Sequence, residues 1–349
     1  MINRDDLKAA IGAGIVTEAQ AASLASLADS RRGARESLAP GDEPFELFRG
    51  FNEIFIVVGL VILSIGWGAL SGLYVDGGNY FSRAVTVTIA GAILIWLLAE
   101  YFVRRRRMVA PAITLSILWS INASIGFSAE FSQPFMVAQE DFSSLPLPMA
   151  LTTLSLLLFW WRFRVPFAMA MIALGAFITA LVIASNAGGT PGSFEDLFLL
   201  SAGGPFAWIT LLIGLAVFAV AMIFDMSDPH RVTRRSANGF WLHVVAAPAL
   251  VNTLALTLLS ADRFALLAVV LLIFAAIAVI IDRRSFLITA VGYCVTLAFA
   301  VFGGEGGAFT IFALGLALLL LGAFWEKLRA RLLRLLSPVM PLNRLPPSV

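Results

Sequence analysis

The sequence predicts an all-α, polytopic integral membrane protein with about ten transmembrane helices and with both termini in the cytoplasm. Three observations support this prediction: the composition, the long apolar segments, and the positions of the basic residues. Hydrophobic residues make up 60% of the 349 residues and charged residues only 13%, whereas soluble proteins carry about a quarter charged residues. The mean hydropathy is +0.91. This composition indicates residence in a membrane.

Ten apolar segments approach or reach the roughly 17 to 25 residues that a helix needs to cross a bilayer. Their apolar runs are continuous, which excludes the alternating pattern of a transmembrane barrel and leaves helices as the predicted form. The segments are 54–73, 83–103, 108–127, 143–161, 165–185, 205–224, 240–260, 264–281, 285–302 and 308–325.

The basic residues predict the orientation of these helices. All of the 24 Lys and Arg residues except Arg83 and Arg263 lie in the N-terminal segment, in alternate connections or in the C-terminal tail. This is the positive-inside pattern of a protein with both ends in the cytoplasm. Four tryptophans fall at the predicted cytoplasmic helix ends, where their amphipathic rings are favoured. These are Trp160, Trp161, Trp241 and Trp325.

Composition also suggests a compartment. Only Lys8 and Lys327 are lysines, and alanine, glycine and leucine are abundant, which is typical of a GC-rich genome and predicts a bacterial inner membrane. The first fifty residues are of mixed charge and contain no signal-peptide pattern, so the first transmembrane helix is expected to serve as the targeting signal. The basic residues form no single patch, and no nucleic-acid partner is predicted.

Four regions are predicted along the chain. Residues 1–40 form a cytosolic helical pair and a linker, because Leu7 and Ile11 share a helical face and Thr17 to Gln20 form a capping box for a second helix. Residues 41–53 form an interfacial elbow helix. Residues 54–326 form the transmembrane domain, and residues 327–349 form a basic cytosolic tail.

The connection at residues 225–239 is the longest predicted on the cytoplasmic side. Asp228 precedes Pro229, which predicts a helix that starts with Asp228 as its N-cap. We therefore expect a protein partner to bind either this connection or residues 1–40. The candidate contact residues in the connection are Asp228, His230, Arg231, Arg234 and Arg235.

Two longer connections on the opposite side, 128–142 and 186–204, lack Lys and Arg and contain several phenylalanines. In the second, Ser193 and Asp196 have capping-box spacing ahead of an apolar run. Either a short interfacial helix or an ordinary apolar loop folded over the helix ends is expected there.

Few polar residues lie inside the predicted spans. Ser116, Ser120 and Ser124 have four-residue spacing, which indicates either a polar path or, more commonly, a small-residue seam between helices. Gly68 and Gly72 match a helix-packing pattern in the same way. Polar residues within spans are candidates for lining a cavity that binds a solute. These candidates are Asn122, His243, Asn252 and Tyr293.

The sequence offers no catalytic residues, no metal site and no cofactor site. It contains no GxSxG, Walker A, HExxH or CxxC motif, and Cys294 is its single cysteine. His243 has no ligand partner four residues away on either side. No carboxylate lies in the middle of a predicted span, which argues against proton coupling, metal chemistry and hydrolysis.

The residues Gly14 to Gln20 resemble the start of bacterial predicted-membrane-protein families of unknown function, which open with a short cytosolic helical pair. The residues Phe240 to His243, after the connection, are similar to uncharacterised proteobacterial inner-membrane proteins. This resemblance implies the architecture but no activity. The first hypothesis for function is a non-enzymatic scaffold, accessory or sensor protein. The alternative is a permease for a neutral or amphipathic solute with five-plus-five inverted repeats.

Overall fold

The structure is a computed structural model, and it is helical without strands throughout the residues that it describes. These are residues 4–17, 20–21, 24, 52–76, 80–134, 136, 138–139, 141–189, 191–229, 231, 233–283, 285–287, 289–296, 312, 315–316, 319–336 and 345–346. The helices are α1 (Arg4–Gly12), α2 (Asn52–Asp76), α3 (Tyr80–Ala99), α4 (Val109–Phe131), α5 (Pro146–Phe163), α6 (Pro166–Gly188), α7 (Phe206–Ser227), α8 (Arg234–Ser260), α9 (Phe264–Ile281), α10 (Ser285–Thr296) and α11 (Trp325–Leu336).

Seven of the described helices are long and apolar enough to cross a membrane: α2, α3, α4, α6, α7, α8 and α9. The chain is therefore a multi-pass membrane protein by the length and composition of its helices. Helix α5 corresponds to the fourth predicted segment, and the shorter apolar helix α10 starts the ninth. Of the tenth predicted segment, 308–325, the structure describes residues 312, 315–316 and 319–325.

Helix α8 lies at the centre of the bundle and α2 at its edge. In the most apolar stretch of each helix, 44% of the residues of α8 are buried but only 6% of those of α2. Helices α7 and α8 form the most extensive helix pair. One apolar core joins α8, α9 and α10, a second joins α2 to α6, and a third connects them through α6, α7 and α8.

Aromatic rings fill the core that joins α3, α4 and α5. The ring centroids of Trp96 and Phe163 lie 4.9 Å apart, those of Phe159 and Phe163 lie 4.6 Å apart, and Trp119 contacts both Trp96 and Phe159 at 5.5 Å. Aromatic pairs at these distances stabilise a fold beyond the area that they bury. This core lies towards one end of the bundle. Residues 104–107, 162–164, 231 and 233–235 lie at the same end, which we name the arginine-rich end.

Several helix boundaries differ from the sequence prediction. Helix α4 continues to Phe131 and α7 continues to Ser227, so the predicted connection 225–239 shrinks to residues 228–233. The prediction of Asp228 as an N-cap was wrong, because Thr233 caps α8 by accepting a hydrogen bond from the Arg235 N–H. Asp228 instead accepts hydrogen bonds from the Thr233 N–H and hydroxyl, at 2.9 and 2.8 Å.

The N-terminal region is described in part. Helix α1 ends before Gly14, whose φ of 69° is a left-handed conformation that suits glycine. The capping box at Thr17 and Gln20 is confirmed, since each backbone N–H donates to the other residue's side chain, at 3.0 and 3.2 Å. The linker and the elbow predicted at 41–53 lie outside the described residues, except Asn52 and Glu53.

Glu53, at the start of α2, is only 2% exposed. Its carboxylate accepts a hydrogen bond from the backbone N–H of Ala110 at 3.1 Å. Met108, the N-cap residue of α4, supplies no side-chain cap. Glu53 therefore stabilises the start of α4 from the neighbouring helix α2, where a carboxylate also interacts well with the helix dipole.

The region after the last predicted span forms a further helix. The buried face of α11 consists of Trp325, Arg329 and Leu333, and its other face is exposed. The Trp325 indole N–H donates to Asp282 at 2.8 Å, and Arg329 donates to the backbone oxygen of Pro346. Residues predicted as a basic tail are therefore packed against the arginine-rich end of the bundle.

The connection between α6 and α7 contains two short 3₁₀ turns, Phe194–Leu197 and Leu200–Ala202. The capping box of Ser193 and Asp196 is confirmed. Thr257 of α8 accepts from the Leu200 N–H at 3.0 Å, and the Thr210 hydroxyl of α7 donates to the Leu197 oxygen. From Ser193 to Gly204 the helical structure is thus limited to these two short turns, and hydrogen bonds tie the segment to α7 and α8.

Candidate functional site

Three ionisable side chains from three parts of the chain meet in the interior at the arginine-rich end. Asp225 comes from the last turns of α7, His243 from the third turn of α8, and Arg283 from the residues that follow α9. Their exposed fractions are 6%, 0% and 7%. We name these three residues the ionic cluster. Charged residues are seldom so buried unless they are paired.

The Asp225 carboxylate accepts every strong hydrogen bond within the cluster. Its Oδ2 atom lies 3.0 Å from His243 Nε2 and 3.0 Å from Arg283 Nε, and its Oδ1 atom accepts from Arg283 Nη2. Arg283 Nη2 also donates to the backbone oxygen of Ser236 at 2.7 Å. The guanidinium therefore binds the carboxylate with two parallel bonds, which is the strong geometry for this pair.

The cluster is electrically neutral when His243 is neutral. An ionised carboxylate only accepts hydrogen bonds, which assigns the imidazole proton to Nε2. Within the described residues, the Nδ1 atom of His243 is buried without a hydrogen-bond partner. The rings of Phe218 and Phe286 lie 5.5 and 5.9 Å from the imidazole.

Gly239 makes room for the carboxylate. A Cβ atom at this position would lie much closer than 3.0 Å to Asp225 Oδ1, and 3.2 Å from the backbone oxygen of Ala221. Helices α7 and α8 approach each other here so closely that only glycine fits. Gly239 was not among the residues predicted from the sequence.

A second ion pair lies next to the cluster and connects it to the C-terminal helix. Arg231 donates to the Asp282 carboxylate at 2.8 Å and to the backbone oxygens of Ile281 and Asp282. Asp282 adopts a left-handed conformation, with φ of 53°, and also accepts from Trp325. Burial, together with the nearby charge of Arg283, lowers the pKa of Arg231 from its ordinary high value.

The space beside the cluster is small. A cavity of about 150 Å³ is lined by Arg283 and Ser236 and by the first residues of α4, α6 and α8. Sites for small molecules are usually clefts of about 300 Å³ or more. The carboxylate, the guanidinium and the imidazole proton are engaged with one another, so the geometry suits a structural ionic lock better than acid–base chemistry.

The predicted contact residues of the connection mostly take part in internal contacts. Asp228 is 7% exposed and Arg234 is 9% exposed, and Arg231 forms the ion pair with Asp282. Arg235 is exposed. His230 lies outside the described residues. A partner could therefore reach this segment mainly through Arg235.

The structure separates the four predicted cavity residues. Asn122 lines a cleft between α3, α4 and α5, whereas His243 belongs to the ionic cluster. Asn252 is half-buried on α8. Tyr293 packs against the apolar core of α8, α9 and α10. None of the other three residues lines the cleft that contains Asn122.

This cleft has a volume of about 290 Å³ and is mostly apolar. The Asn122 side chain donates to the Thr88 backbone oxygen at 2.8 Å and so ties α4 to α3. The cleft is lined by Val85, Thr88, Ile89, Ala92, Trp119, Asn122, Ala123, Gly126, Phe127, Glu130, Phe131 and Ser155.

The serine series does not line the cleft. Ser116 is buried and donates to the Ile113 oxygen of its own helix, and Ser120 and Ser124 are absent from the cleft wall. Close approach of α3 and α4 depends instead on Gly91 and Gly126, where a Cβ atom would lie 2.5 Å from Asn122 and 2.7 Å from Thr88. Around Gly68 and Gly72, by contrast, no described atom lies within 4 Å of such a Cβ.

Within the described residues, no group of three or more His, Cys, Asp or Glu side chains is arranged to hold a metal ion. Comparison with known proteins gave no match: no family model, curated protein or solved structure matches the chain.

Proposed function

We propose that the protein is a non-enzymatic scaffold, accessory or sensor protein of a bacterial inner membrane, with ten spans and both termini in the cytoplasm. The observation that carries this proposal is the ionic cluster. Asp225, His243 and Arg283 join α7, α8 and the segment after α9, and the Arg231–Asp282 pair extends this linkage to α11. These contacts hold the arginine-rich end together as one rigid unit, which we name the platform.

The surface of this platform supports a binding role. Exposed basic side chains surround it, and they come from four different regions of the chain: Arg104, Arg105, Arg106, Arg164, Arg235, Lys327 and Arg331. Such a surface attracts acidic segments of a partner protein through long-range charge attraction. Placed in the cytoplasm, as the basic residues predict, it faces the compartment in which a soluble partner would bind.

Site-specific crosslinking tests this proposal. A photoreactive amino acid at Arg235 or Arg331 is expected to capture the same protein from intact cells, because both positions are exposed on one platform. Glu195, exposed near the opposite end, is the matched control and should not capture it. Deleting residues 1–40 shows whether the helical pair contributes to that contact. The proposal fails when neither platform position yields a specific adduct.

The second candidate function is a permease for a neutral or amphipathic small solute, with the five-plus-five helix arrangement. The cleft beside Asn122 supports it, because it extends from Glu130 and Phe131 at the end of α4 to Trp119 near its middle. Purified protein in proteoliposomes is then expected to carry such a solute, and Ala123→Phe should abolish the flux by filling the cleft. Flux at the level of empty liposomes across a broad solute panel would exclude this candidate.

A further inference from the structure

We propose that the cleft between α3, α4 and α5 binds an amphipathic cation, a molecule with an ammonium group and a small apolar body. This inference goes beyond the scaffold function and supplies the permease alternative with a substrate class. It rests on three properties of the cleft: its apolar walls, its unused hydrogen-bond acceptors, and the carboxylate and aromatic rings at its mouth.

The shape of the cleft suits a small apolar body. Its volume of about 290 Å³ is close to the lower limit of ligand-binding clefts. Side chains such as Val85, Ile89 and Ala92 form one wall, and Ala123 lies on the facing helix. The floor is the Trp119 ring, which the aromatic core holds in place.

The side chains in the cleft offer more unused hydrogen-bond acceptors than donors. Each side-chain donor atom already binds a backbone oxygen: Trp119 that of Ser155, Asn122 that of Thr88, Thr88 that of Val85, and Ser155 that of Thr152. Of these groups only the Asn122 amide keeps a second N–H hydrogen, whereas the Asn122 Oδ1 atom, the Thr88 and Ser155 hydroxyl oxygens and the Glu130 carboxylate can all accept. An anion would meet one neutral donor and the charge of Glu130, whereas an ammonium ion would meet several acceptors and a carboxylate.

The mouth of the cleft carries negative charge and aromatic faces. Glu130 is exposed and, within the described residues, has no ion-pair or hydrogen-bond partner. Phe127 and Phe131 stand beside it, with ring centroids 6.5 Å apart. A carboxylate next to aromatic rings is a common arrangement for binding quaternary ammonium groups, which are attracted to the ring faces.

No described basic residue pairs with Glu130 at this mouth. The connection 128–142 contains no Lys or Arg. On α3, Arg83 donates to the Tyr74 backbone oxygen at 2.8 Å, and its guanidinium lies over the Tyr74 ring. Its charge is thus directed towards α2 and away from the cleft.

Binding of benzyltrimethylammonium tests the inference. Full-length protein in dodecylmaltoside micelles, which contain no ammonium group, is expected to bind the radiolabelled cation saturably in equilibrium dialysis, with one site per chain. Glu130→Gln should weaken binding about fivefold, the usual scale for one exposed ion pair. Glu195→Gln, an exposed acid on the other loop, is the control and should leave binding unchanged.

A cleft-filling variant locates the site. Ala123→Phe should remove saturable binding, whereas Ile125→Phe, which is exposed on the same helix and outside the cleft wall, should retain it. Ala92→Phe on the facing wall serves the same purpose when Ala123→Phe does not fold, as judged by circular dichroism and size-exclusion chromatography.

Three results would overturn the inference. The first is the absence of saturable binding, and the second is binding that survives both filling variants. The third is a combined result: 2,2-dimethylpropylbenzene, the neutral carbon isostere, competes as well as the cation does, and Glu130→Gln has no effect on binding. Saturable binding without uptake into proteoliposomes would support the binding site and exclude the permease. The crosslinks at the platform depend on neither binding nor uptake of the cation.

Discussion

Replacing Asp225 with alanine is expected to lower the free energy of unfolding by about 3–5 kcal/mol, the scale for breaking one partner out of a buried ion pair. Among the described residues, the variant leaves the buried Arg283 guanidinium with the Ser236 backbone oxygen as its remaining acceptor. It also removes the acceptor for the His243 Nε2 proton. Reversible unfolding in mixed dodecylmaltoside and SDS micelles measures the change.

The matched control for this variant is Glu326→Ala. Glu326 is an exposed acid on α11 at the same end of the bundle, and its removal should change the free energy of unfolding by less than about 0.5 kcal/mol. An Asp225→Ala variant as stable as this control would show that the ionic cluster contributes nothing to the fold.

Replacing Gly239 with alanine should destabilise the protein by about 1–3 kcal/mol, the usual cost of overpacking a filled core. The added methyl group would press on Asp225 Oδ1 and on the Ala221 backbone oxygen, and α7 and α8 would have to separate. Because the cluster spans this contact, Arg283 would lose its two parallel bonds to the carboxylate. Thermal unfolding in detergent, followed by circular dichroism, measures the loss.

Gly72→Ala is the opposite case and serves as the control. No described atom lies within 4 Å of a Cβ at this helical position. Alanine in a helix interior is normally more stable than glycine by about 0.5–1 kcal/mol. The account therefore predicts opposite signs for the same chemical change at positions 72 and 239. Equal effects of the two variants would contradict the close approach of α7 and α8.

The sequence predicted the helical class and the apolar spans because the hydrophobic signal is local and strong. Boundaries were less accurate where a charged residue lies inside a helix. Asp225 was assigned to a connection because a charge normally marks the end of a span. In the structure α7 continues through it, since Arg283 neutralises the carboxylate and His243 forms a hydrogen bond with it. That compensation comes from residues 18 and 58 positions away.

Partners that are distant along the chain also explain why the sequence did not predict the ionic cluster. His243 was selected as a polar residue in a span, but its partners lie on other helices and leave no spacing pattern along the chain. One signal was available: Asp225, His243 and Arg283 each lie near the same predicted membrane surface, where opposite charges would pair. Gly239 carried a weaker signal. It is a glycine near the start of a helix, where its low helix propensity disfavours it.

Asn122 illustrates the reverse case. The sequence predicted it, with His243, Asn252 and Tyr293, as a candidate for lining a cavity, and the structure places it in a cleft without the other three. Which helices adjoin α4 depends on tertiary packing, so the few polar groups of the cleft become visible only with Thr88 and Ser155 in place.

A double-mutant cycle on Asp225 and Arg283 tests the central claim, that the buried charges form a structural lock, most directly. The single variants Asp225→Leu and Arg283→Met each leave one buried charge without its partner, whereas the double variant removes both charges. The account predicts that the double variant is more stable than either single variant in the micelle unfolding experiment. It also predicts that the double variant retains the platform crosslinks. Additive losses of stability in the double variant would contradict a mutually neutralising lock at this end of the bundle.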